Sequence, residues 1–141
     1  MDLHIDDFYK DIALGLLALY QAFPRKIDLY VEDLIGPQEL DEFGLPKTRQ
    51  QCCLSALVWL ADEGYVRHTG TLSYNALEQC VLSEKAFLRL TLPVAPDPAL
   101  PQSVQRVQGT LAFQLRTALQ ERDSEKLIER VKAFFTLRDT A

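Results

Sequence analysis

The sequence predicts a mainly α-helical protein that carries a small antiparallel β hairpin and ends in an α-helical hairpin. Apolar residues recur at spacings of three and four in residues 5–23, as they do on one face of a helix. A helix-like run, a short strand, a polar turn and a second strand follow one another in residues 46–90. Two more helical stripes follow a proline-rich stretch, so most of the chain is expected to be helical.

The composition is typical of a globular protein, since 48% of the 141 residues are hydrophobic and 25% are charged. No apolar run approaches the roughly 20 residues that cross a bilayer, and the first residues are acidic where a signal peptide is basic. We therefore expect a cytoplasmic protein with no membrane partner. The cysteines Cys52, Cys53 and Cys80 show neither a disulfide framework nor a zinc-binding spacing, so reduced and mostly buried thiols are expected.

The net charge of −5 is unevenly distributed along the chain. Residues 1–45 hold ten acidic and three basic residues, whereas residues 46–92 and 93–141 each carry a net charge of +1. A nucleic acid would therefore have to meet the middle segment, with the acidic first segment turned away from the phosphates.

The first helix is predicted over residues 5–23. Asp6, Asp7 and Asp11 lie in its early turns, where the helix dipole favours negative charge, and Pro24 marks its end. Its apolar stripe, which we expect to face the core, comprises Ile5, Phe8, Tyr9, Ile12, Leu16, Leu19, Tyr20 and Phe23.

A short edge strand and two brief helices are predicted next. Residues 26–31 alternate apolar and polar side chains, which is the period of a half-buried strand. Residues 31–35 favour a turn or two of helix. Residues 37–43 favour a second brief helix, with Pro37 at its first position and Gly44 just past its end.

The central helix begins after Pro46, with Thr48 as its expected N-cap, and Gly64 supplies the left-handed residue that ends it. Trp59 falls off the centre of its apolar stripe, so this side chain is either partly covered by a neighbouring element or part of a subunit contact. The stripe comprises Leu54, Leu57, Val58, Ala61 and Tyr65 and is widened by Cys53 and Leu60.

Two antiparallel strands are predicted at residues 65–70 and 76–82, joined by a polar turn at residues 71–75. A symmetric hairpin would place Val66 opposite Cys80. In that register the core-facing side chains are those of Val66, Cys80 and Leu82, and the outward ones are those of Arg67 and Gln79.

Ser83 is the expected N-cap of a helix over residues 84–90. Residues 93–102 then hold four prolines without a helical or strand period, so a stiff, extended connector is predicted. This connector would separate a domain at residues 1–92 from a helical dimerisation or docking segment at residues 103–141.

The last segment carries apolar helical stripes over residues 104–119 and 127–135. Residues 120–126 contain no apolar residue, and Asp123 or Ser124 is a natural N-cap, so a hairpin is favoured over one long rod. A two-helix hairpin buries these stripes only in part, which predicts a homodimer; the alternative is a tail that folds back onto the first helix. The expected dimer contacts are Leu111, Leu115, Leu119, Val131, Phe134 and Phe135.

Residues 5–91 resemble the winged helix-turn-helix family in the order helix, strand, helix, helix, strand, wing, strand. The run LVWLADEGYVRHTG is similar to the family's junction between the recognition helix and the first wing strand. The run VLSEKAFLRL resembles the Leu-Thr-x-Lys-Gly-x-x-x-Leu ending of MarR-like and PadR-like bacterial regulators, with Ser83 for Thr and Ala86 for Gly. The resemblance implies a winged helix domain with a small antiparallel β wing, in a dimeric transcriptional regulator.

By that resemblance, double-stranded DNA would be contacted by the first turns of the recognition helix and by the wing. Arginine and glutamine side chains can pair with base edges in the major groove, while lysine and hydroxyl groups suit phosphates. The implied contacts are Lys47, Thr48, Arg49, Gln50 and Gln51 on the helix and Arg67, His68, Thr71, Ser73 and Asn75 on the wing. Arg49 is expected to be exposed, so that its replacement by alanine would cost almost no stability.

The competing hypothesis is a winged helix that binds other proteins, as an interaction module or an adaptor subunit of a larger bacterial assembly. The net negative charge, the outlying Trp59 and the two amphipathic C-terminal helices motivate it. The sequence contains no glycine-rich phosphate loop, no nucleophile motif and no metal-ligand spacing, so neither catalytic residues, a metal nor a cofactor is expected.

Overall fold

The computed structural model describes residues 2–94 and 98–137, and in this part of the chain it confirms a mainly helical fold with a small antiparallel sheet. The helices are α1 (Leu3–Ala22), α2 (Val31–Ile35), α3 (Thr48–Asp62), α4 (Glu84–Thr91), α5 (Gln102–Gln108), α6 (Leu111–Gln120) and α7 (Ser124–Thr136). The strands are β1 (Ile27–Tyr30), β2 (Val66–Arg67), β3 (Gly70–Leu72) and β4 (Ala76–Leu82). None of the described helices combines the length and the apolar character that a membrane span needs.

Helix α1 is the element around which the others pack, since it contacts α3, the sheet, α6 and α7. Ile12, Leu16 and Leu19 on its predicted apolar stripe are buried. A Cβ atom at Gly15 would lie 2.7 Å from Cδ2 of Leu57, so the missing side chain allows α3 to approach α1 closely. The core is therefore built outward from α1.

The sheet places β4 between β1 on one side and β2 with β3 on the other, and β1 lies at an edge as predicted. The predicted hairpin register is wrong by two residues, because Val66 pairs with Leu82 and Gly70 with Glu78. The loop between β3 and β4 has three residues, 73–75, where five were expected, and loop length sets the register. A shift of two preserves the faces: Val66, Cys80 and Leu82 are buried, and Arg67 and Gln79 are exposed.

Residues 37–43 do not form the expected second brief helix. The backbone instead makes a loop in which Leu40 forms an isolated bridge with Pro46. Asp41 directs the loop, because its Oδ1 accepts hydrogen bonds from the backbone N–H groups of Phe43 and Leu45, both at 2.9 Å. A side chain that binds its own backbone in this way competes with helix formation.

The expected helix ends are mostly confirmed. Gly64 has φ +83°, the left-handed conformation that the sequence predicted for the end of α3. Ser83 caps α4, since its side chain accepts a hydrogen bond from the N–H of Ala86. The N-cap of α3 is Lys47, whereas Thr48 is already helical, so the predicted cap is wrong by one residue.

The first predicted C-terminal helix is two helices, because the chain bends between α5 and α6. Gly109 follows α5, and the hydroxyl of Thr110 accepts a hydrogen bond from the N–H of Phe113 to start α6. Val94 donates a backbone hydrogen bond to Gly109 at 2.7 Å, which ties the start of the proline-rich connector to this bend. Residues 95–97 of the predicted connector and 138–141 of the predicted last segment lie outside the described residues.

Helices α6 and α7 form the predicted hairpin, with Asp123 as the N-cap of α7. The hairpin packs against α1, which is the alternative to a dimer that the sequence left open. The expected dimer contacts lie within one chain. Four of them are buried, namely Leu111, Leu115, Val131 and Phe134. The other two, Leu119 and Phe135, are half-buried against the same core. These side chains therefore need no second chain to cover them.

One hydrophobic core includes side chains from α1, α3, the sheet, α4, α6 and α7. Arg89 on α4 strengthens the connection to α7, because its Nη1 donates hydrogen bonds to the hydroxyl of Tyr65 at 2.9 Å and to the carbonyl of Phe134 at 3.1 Å. The helices after the connector are thus packed into the same core as residues 1–92 and do not stand apart from it. The homodimer stays a prediction.

Candidate functional site

The start of α3 and the tip of the β3–β4 hairpin lie side by side, and Gln50 joins them. Its Nε2 donates hydrogen bonds to the carbonyl of Tyr74 at 3.0 Å and to Oδ1 of Asn75 at 3.2 Å. Gln50 is buried, and its amide nitrogen holds the hairpin against the helix. Of the wing residues predicted to contact DNA, Asn75 is therefore brought next to the start of α3, but Gln50 itself is not exposed for base recognition.

Arg49 does not point freely into solvent as expected, because its guanidinium forms a bidentate pair with Asp11 of α1. Nη1 lies 2.7 Å from Oδ2, and Nη2 lies 2.6 Å from Oδ1. The side chain of Asp11 is 0% exposed and that of Arg49 is 30% exposed. The prediction that Arg49 makes no structural contribution is wrong, since it neutralises a carboxylate that has been removed from water.

The surroundings of Arg49 are acidic. Asp7 approaches its Nε at 3.7 Å, so two carboxylates of α1 share one guanidinium. Hydrogen bonding to Asp11 is the main reason that the pKa of Arg49 is raised above its usual value. The positive charge of Arg49 is thus largely compensated inside the protein, which weakens its attraction for a phosphate backbone.

The other predicted contact residues are mostly exposed. His68 is half-buried, and its Nδ1 lies 3.0 Å from the carbonyl oxygen of Gly70. Gln51 is exposed, although its Nε2 donates a hydrogen bond to the carbonyl of Pro46 at 2.8 Å. The remaining exposed members of the predicted set are Lys47, Thr48, Arg67, Thr71, Ser73 and Asn75. Lys47 and Arg67 are the two basic residues of the set that form no internal ion pair in the described part of the chain.

The outward face of α3 carries apolar and small polar side chains where a DNA-reading helix would present basic ones. Cys52, Ser55 and Trp59 follow one another along this face. Between it and the start of α1 runs a groove of about 410 Å³. Its lining comprises His4, Ile5, Phe8, Thr48, Gln51, Cys52, Ser55, Ala56 and Trp59. We call this feature the α1–α3 groove.

Trp59 forms one wall of the α1–α3 groove, and an aromatic cluster holds its ring in place. The rings of Phe8 and Phe135 each lie 5.3 Å from the Trp59 ring, in edge-to-face geometry. The indole nevertheless remains 38% exposed. Of the two expectations for Trp59, partial cover by a neighbouring element is therefore confirmed, and the cover comes from α1 and α7.

A second depression of about 340 Å³ flanks the other side of the same helix face. It shares Gln51, Ser55 and Trp59 with the α1–α3 groove and adds Tyr74 from the hairpin tip. The exposed ridge of α3 thus stands between two shallow depressions. This shape suits packing against another protein surface, in which side chains enter on both sides of a helix.

The thiols differ in their environments. Cys52 is exposed in the α1–α3 groove, whereas Cys53 and Cys80 are buried. Burial raises the pKa of the Cys53 thiol to about 12, with a further contribution from the charge of Asp11, and burial likewise raises the pKa of Cys80 to about 12. Both buried thiols are protonated at neutral pH and therefore contribute as packing groups.

Sequence reasoning missed Asp11 as a partner of the candidate site. Asp11 was assigned to the helix dipole, yet it lies more than two turns into α1, beyond the reach of that effect. The sequence does indicate such a partner, because Asp11 lies between the stripe residues Phe8 and Ile12 and a charged side chain on an apolar helix face needs an oppositely charged partner. Within the described residues, no group of three or more histidine, cysteine or acidic side chains is arranged to hold a metal ion.

Comparison of the chain with protein-family models, with curated proteins and with solved structures finds no match.

Proposed function

We propose that this chain is a winged-helix protein that serves as a protein interaction module and binds its partner through the exposed ridge of α3 and the α1–α3 groove. The element order supports the winged-helix assignment, because β4 lies between β1 and β2 and α3 leads directly into the hairpin. In this assignment α3 corresponds to the recognition helix and the β3–β4 hairpin to the wing. A shared architecture does not fix the ligand, so the proposal rests on the surface of α3.

The observation that carries the proposal is the bidentate pairing of Arg49 with buried Asp11. Arginine is the side chain best suited to read guanine in the major groove, and here both of its outer nitrogens are already occupied. Breaking the pair to reach DNA would leave Asp11 buried without a counter-charge, which costs several kcal/mol. The same helix instead exposes Trp59, a residue type that is enriched at the centres of protein interfaces.

The chemistry of the groove indicates the kind of contact. Ile5, Phe8 and Trp59 present apolar surface, while Thr48 and Ser55 supply hydroxyl groups at the same lining. A partner would insert one or more apolar side chains and donate or accept hydrogen bonds at the rim. Burial of the exposed part of Trp59 would then contribute much of the binding energy.

A second candidate function is DNA binding, and the hydrogen bonds of Gln50 favour it. They hold the hairpin tip, which carries the exposed residues Ser73 and Asn75, against the start of α3, where Lys47, Thr48 and Gln51 are exposed. Lys47 and the exposed hydroxyl groups could bind phosphates. In this case the protein would be a regulator, as the family resemblance implies, and binding would depend strongly on salt.

The two candidates are separated by a photo-crosslinker attached to the exposed thiol of Cys52. We expect the labelled full-length protein to crosslink to a defined protein in extracts of its own cells, and Trp59→Ala to abolish this product while Lys47→Ala leaves it unchanged. In the matched control, Cys52 is replaced by serine and the same label is attached to a cysteine introduced by Ser103→Cys. Ser103 is an exposed residue of α5.

Fluorescence anisotropy with a labelled duplex at low and moderate salt tests the second candidate. Salt-sensitive binding that Lys47→Ala removes and Trp59→Ala preserves would establish DNA binding and overturn the interaction module. Absence of a Trp59-dependent crosslink would also count against the module. Circular dichroism of each variant confirms that the fold is retained.

A further inference from the structure

The loop between α2 and α3 holds a fixed shape at residues 40–46. Asp41 donates a backbone hydrogen bond to the carbonyl of Leu45 at 2.8 Å, in addition to the two bonds that its carboxylate accepts. Gly44 has φ +76°, which a residue with a side chain rarely adopts, and its N–H donates to the carbonyl of Asp41 at 3.0 Å. The isolated bridge between Leu40 and Pro46 closes the loop at its base. We call residues 40–46 the α2–α3 loop.

This ordered loop directs its large apolar side chains outward. Phe43 is 78% exposed, Leu40 is 58% exposed and Leu45 is 56% exposed. Single exposed apolar residues are common on protein surfaces, but three within six residues on one braced loop form a cluster. Because hydrogen bonds already fix the backbone, a partner that covers these side chains would not have to order the loop first.

The charge around the cluster is predominantly negative, and the nearest basic residue in the sequence is Lys47, directly after the loop. Residues 27–46 contain six acidic residues and neither lysine nor arginine. Among them, Glu32 and Asp33 on α2, Glu39 directly before the loop and Glu42 within it are exposed. In the described part of the chain none of these carboxylates forms an ion pair with a basic side chain, so their charge is available to a partner.

We propose that the α2–α3 loop is a docking surface for a protein partner whose apolar pocket receives the ring of Phe43 and whose rim carries lysine or arginine side chains. Aromatic anchors in desolvated pockets dominate binding energies, while complementary rim charges speed association and select the partner. This inference goes beyond the proposed function, because the loop does not line the α1–α3 groove.

The negative charge favours a basic protein partner over two other candidates, a second copy of this chain and a lipid membrane. A second copy of this chain carries a net charge of −5 and uses Arg49 internally, so it offers a poor basic rim. A membrane surface with anionic lipids would repel the carboxylates that flank Phe43. A basic protein surface is attracted by them and can still bury the aromatic ring.

The test places the photoreactive residue p-benzoylphenylalanine at position 43 of the full-length protein in its own cells. The crosslinked protein is identified by mass spectrometry, purified, and titrated with the wild-type protein in a calorimeter. We expect Phe43→Ser to weaken binding about 30-fold, the usual effect of removing an aromatic hot spot. The matched control Val107→Ser, at an exposed apolar residue of α5, should leave the affinity unchanged.

A further variant tests the contribution of the carboxylates to binding. Glu39→Gln with Glu42→Gln should weaken binding and flatten its salt dependence, because these side chains would face the basic rim. Trp59→Ala should leave binding at the loop unchanged, which separates this inference from the proposed function.

Five outcomes would overturn the inference. Four concern protein binding: crosslinking of the chain only to itself, absence of a crosslinked protein, equal affinity of Phe43→Ser and wild type, and insensitivity of the affinity to the glutamine substitutions. Flotation with vesicles of zwitterionic lipid provides the last comparison, because vesicle binding that Phe43→Ser abolishes would identify a membrane as the occupant instead.

Discussion

Replacement of Arg49 by alanine tests the most consequential contact in the structure. The substitution leaves the carboxylate of Asp11, which is 0% exposed, without the guanidinium that binds both of its oxygens. Removing one partner of a buried pair typically costs about 3–5 kcal/mol. Because the Arg49 side chain is 30% exposed and water can enter where it stood, we expect a loss of about 3 kcal/mol, at the lower end of that range.

Urea titration followed by circular dichroism measures this loss, and thermal unfolding gives an independent value. A loss of this size should lower the melting temperature of a chain of this length by about 10 °C. Lys47→Ala is the matched control, since Lys47 is an exposed residue two positions earlier, and its effect should stay within about 0.5 kcal/mol.

The double variant Arg49→Met with Asp11→Leu tests whether the loss of stability comes from leaving a buried charge without a partner. Replacing both partners by apolar side chains removes the unpaired charge, so its stability should return to within about 1 kcal/mol of the wild type. Equal and negligible losses for Arg49→Ala and Lys47→Ala would refute the reasoning and would return Arg49 to the exposed role that the sequence suggested.

The other predictions concern the core, the connection to α7 and the thiols. Leu57→Ala should destabilise the protein by about 2–5 kcal/mol in urea titrations, because Leu57 is buried against Gly15 and its removal leaves a cavity; a loss below 1 kcal/mol would contradict the assigned packing. Arg89→Met should cost about 2 kcal/mol through the lost hydrogen bonds to Tyr65 and Phe134, and an unchanged melting temperature would show that these bonds contribute nothing. A chain that ends at Leu92 should lose cooperative unfolding, since it lacks the hairpin that covers α1; retained cooperativity would restore the predicted boundary. An aromatic disulfide reagent at pH 8 should modify one thiol, Cys52, in the folded protein and three after denaturation. Burial raises the pKa of each of the two buried thiols from 9.0 to about 12. Because the unfolded chain then loses these protons at a lower pH than the folded protein, the stability that they contribute is complete below pH 9 and declines as the pH rises from 9 to about 12. Unchanged stability over that range would argue against their burial.

Most helices and strands could be located from the order of residues alone, because periodicity and capping act over a few residues. The left-handed Gly64, the cap at Ser83 and the N-cap at Asp123 are all local features, and the structure has each of them. The stripe of α1 is buried at Ile12, Leu16 and Leu19, but its first member, Ile5, is 43% exposed, so the expectation that Ile5 faces the core is wrong. The departures from the predicted elements have local causes. The carboxylate of Asp41 diverts residues 37–43 from a helix, and Thr110 starts a new helix inside an apparently continuous stripe.

Which side chains are available to a partner depends on contacts between residues that are far apart in the sequence. Arg49 and Asp11 are 38 residues apart, and Gln50 and Asn75 are 25 residues apart, so neither contact leaves a trace in local periodicity. The apolar stripes of α6 and α7 indicated that another protein surface must bury them, but a stripe does not specify whether that surface belongs to the same chain or to a second one. A second chain and the protein's own core both bury apolar area. In the structure α7 packs against α1, and the buried ring of Phe134 lies 5.0 Å from that of Tyr65.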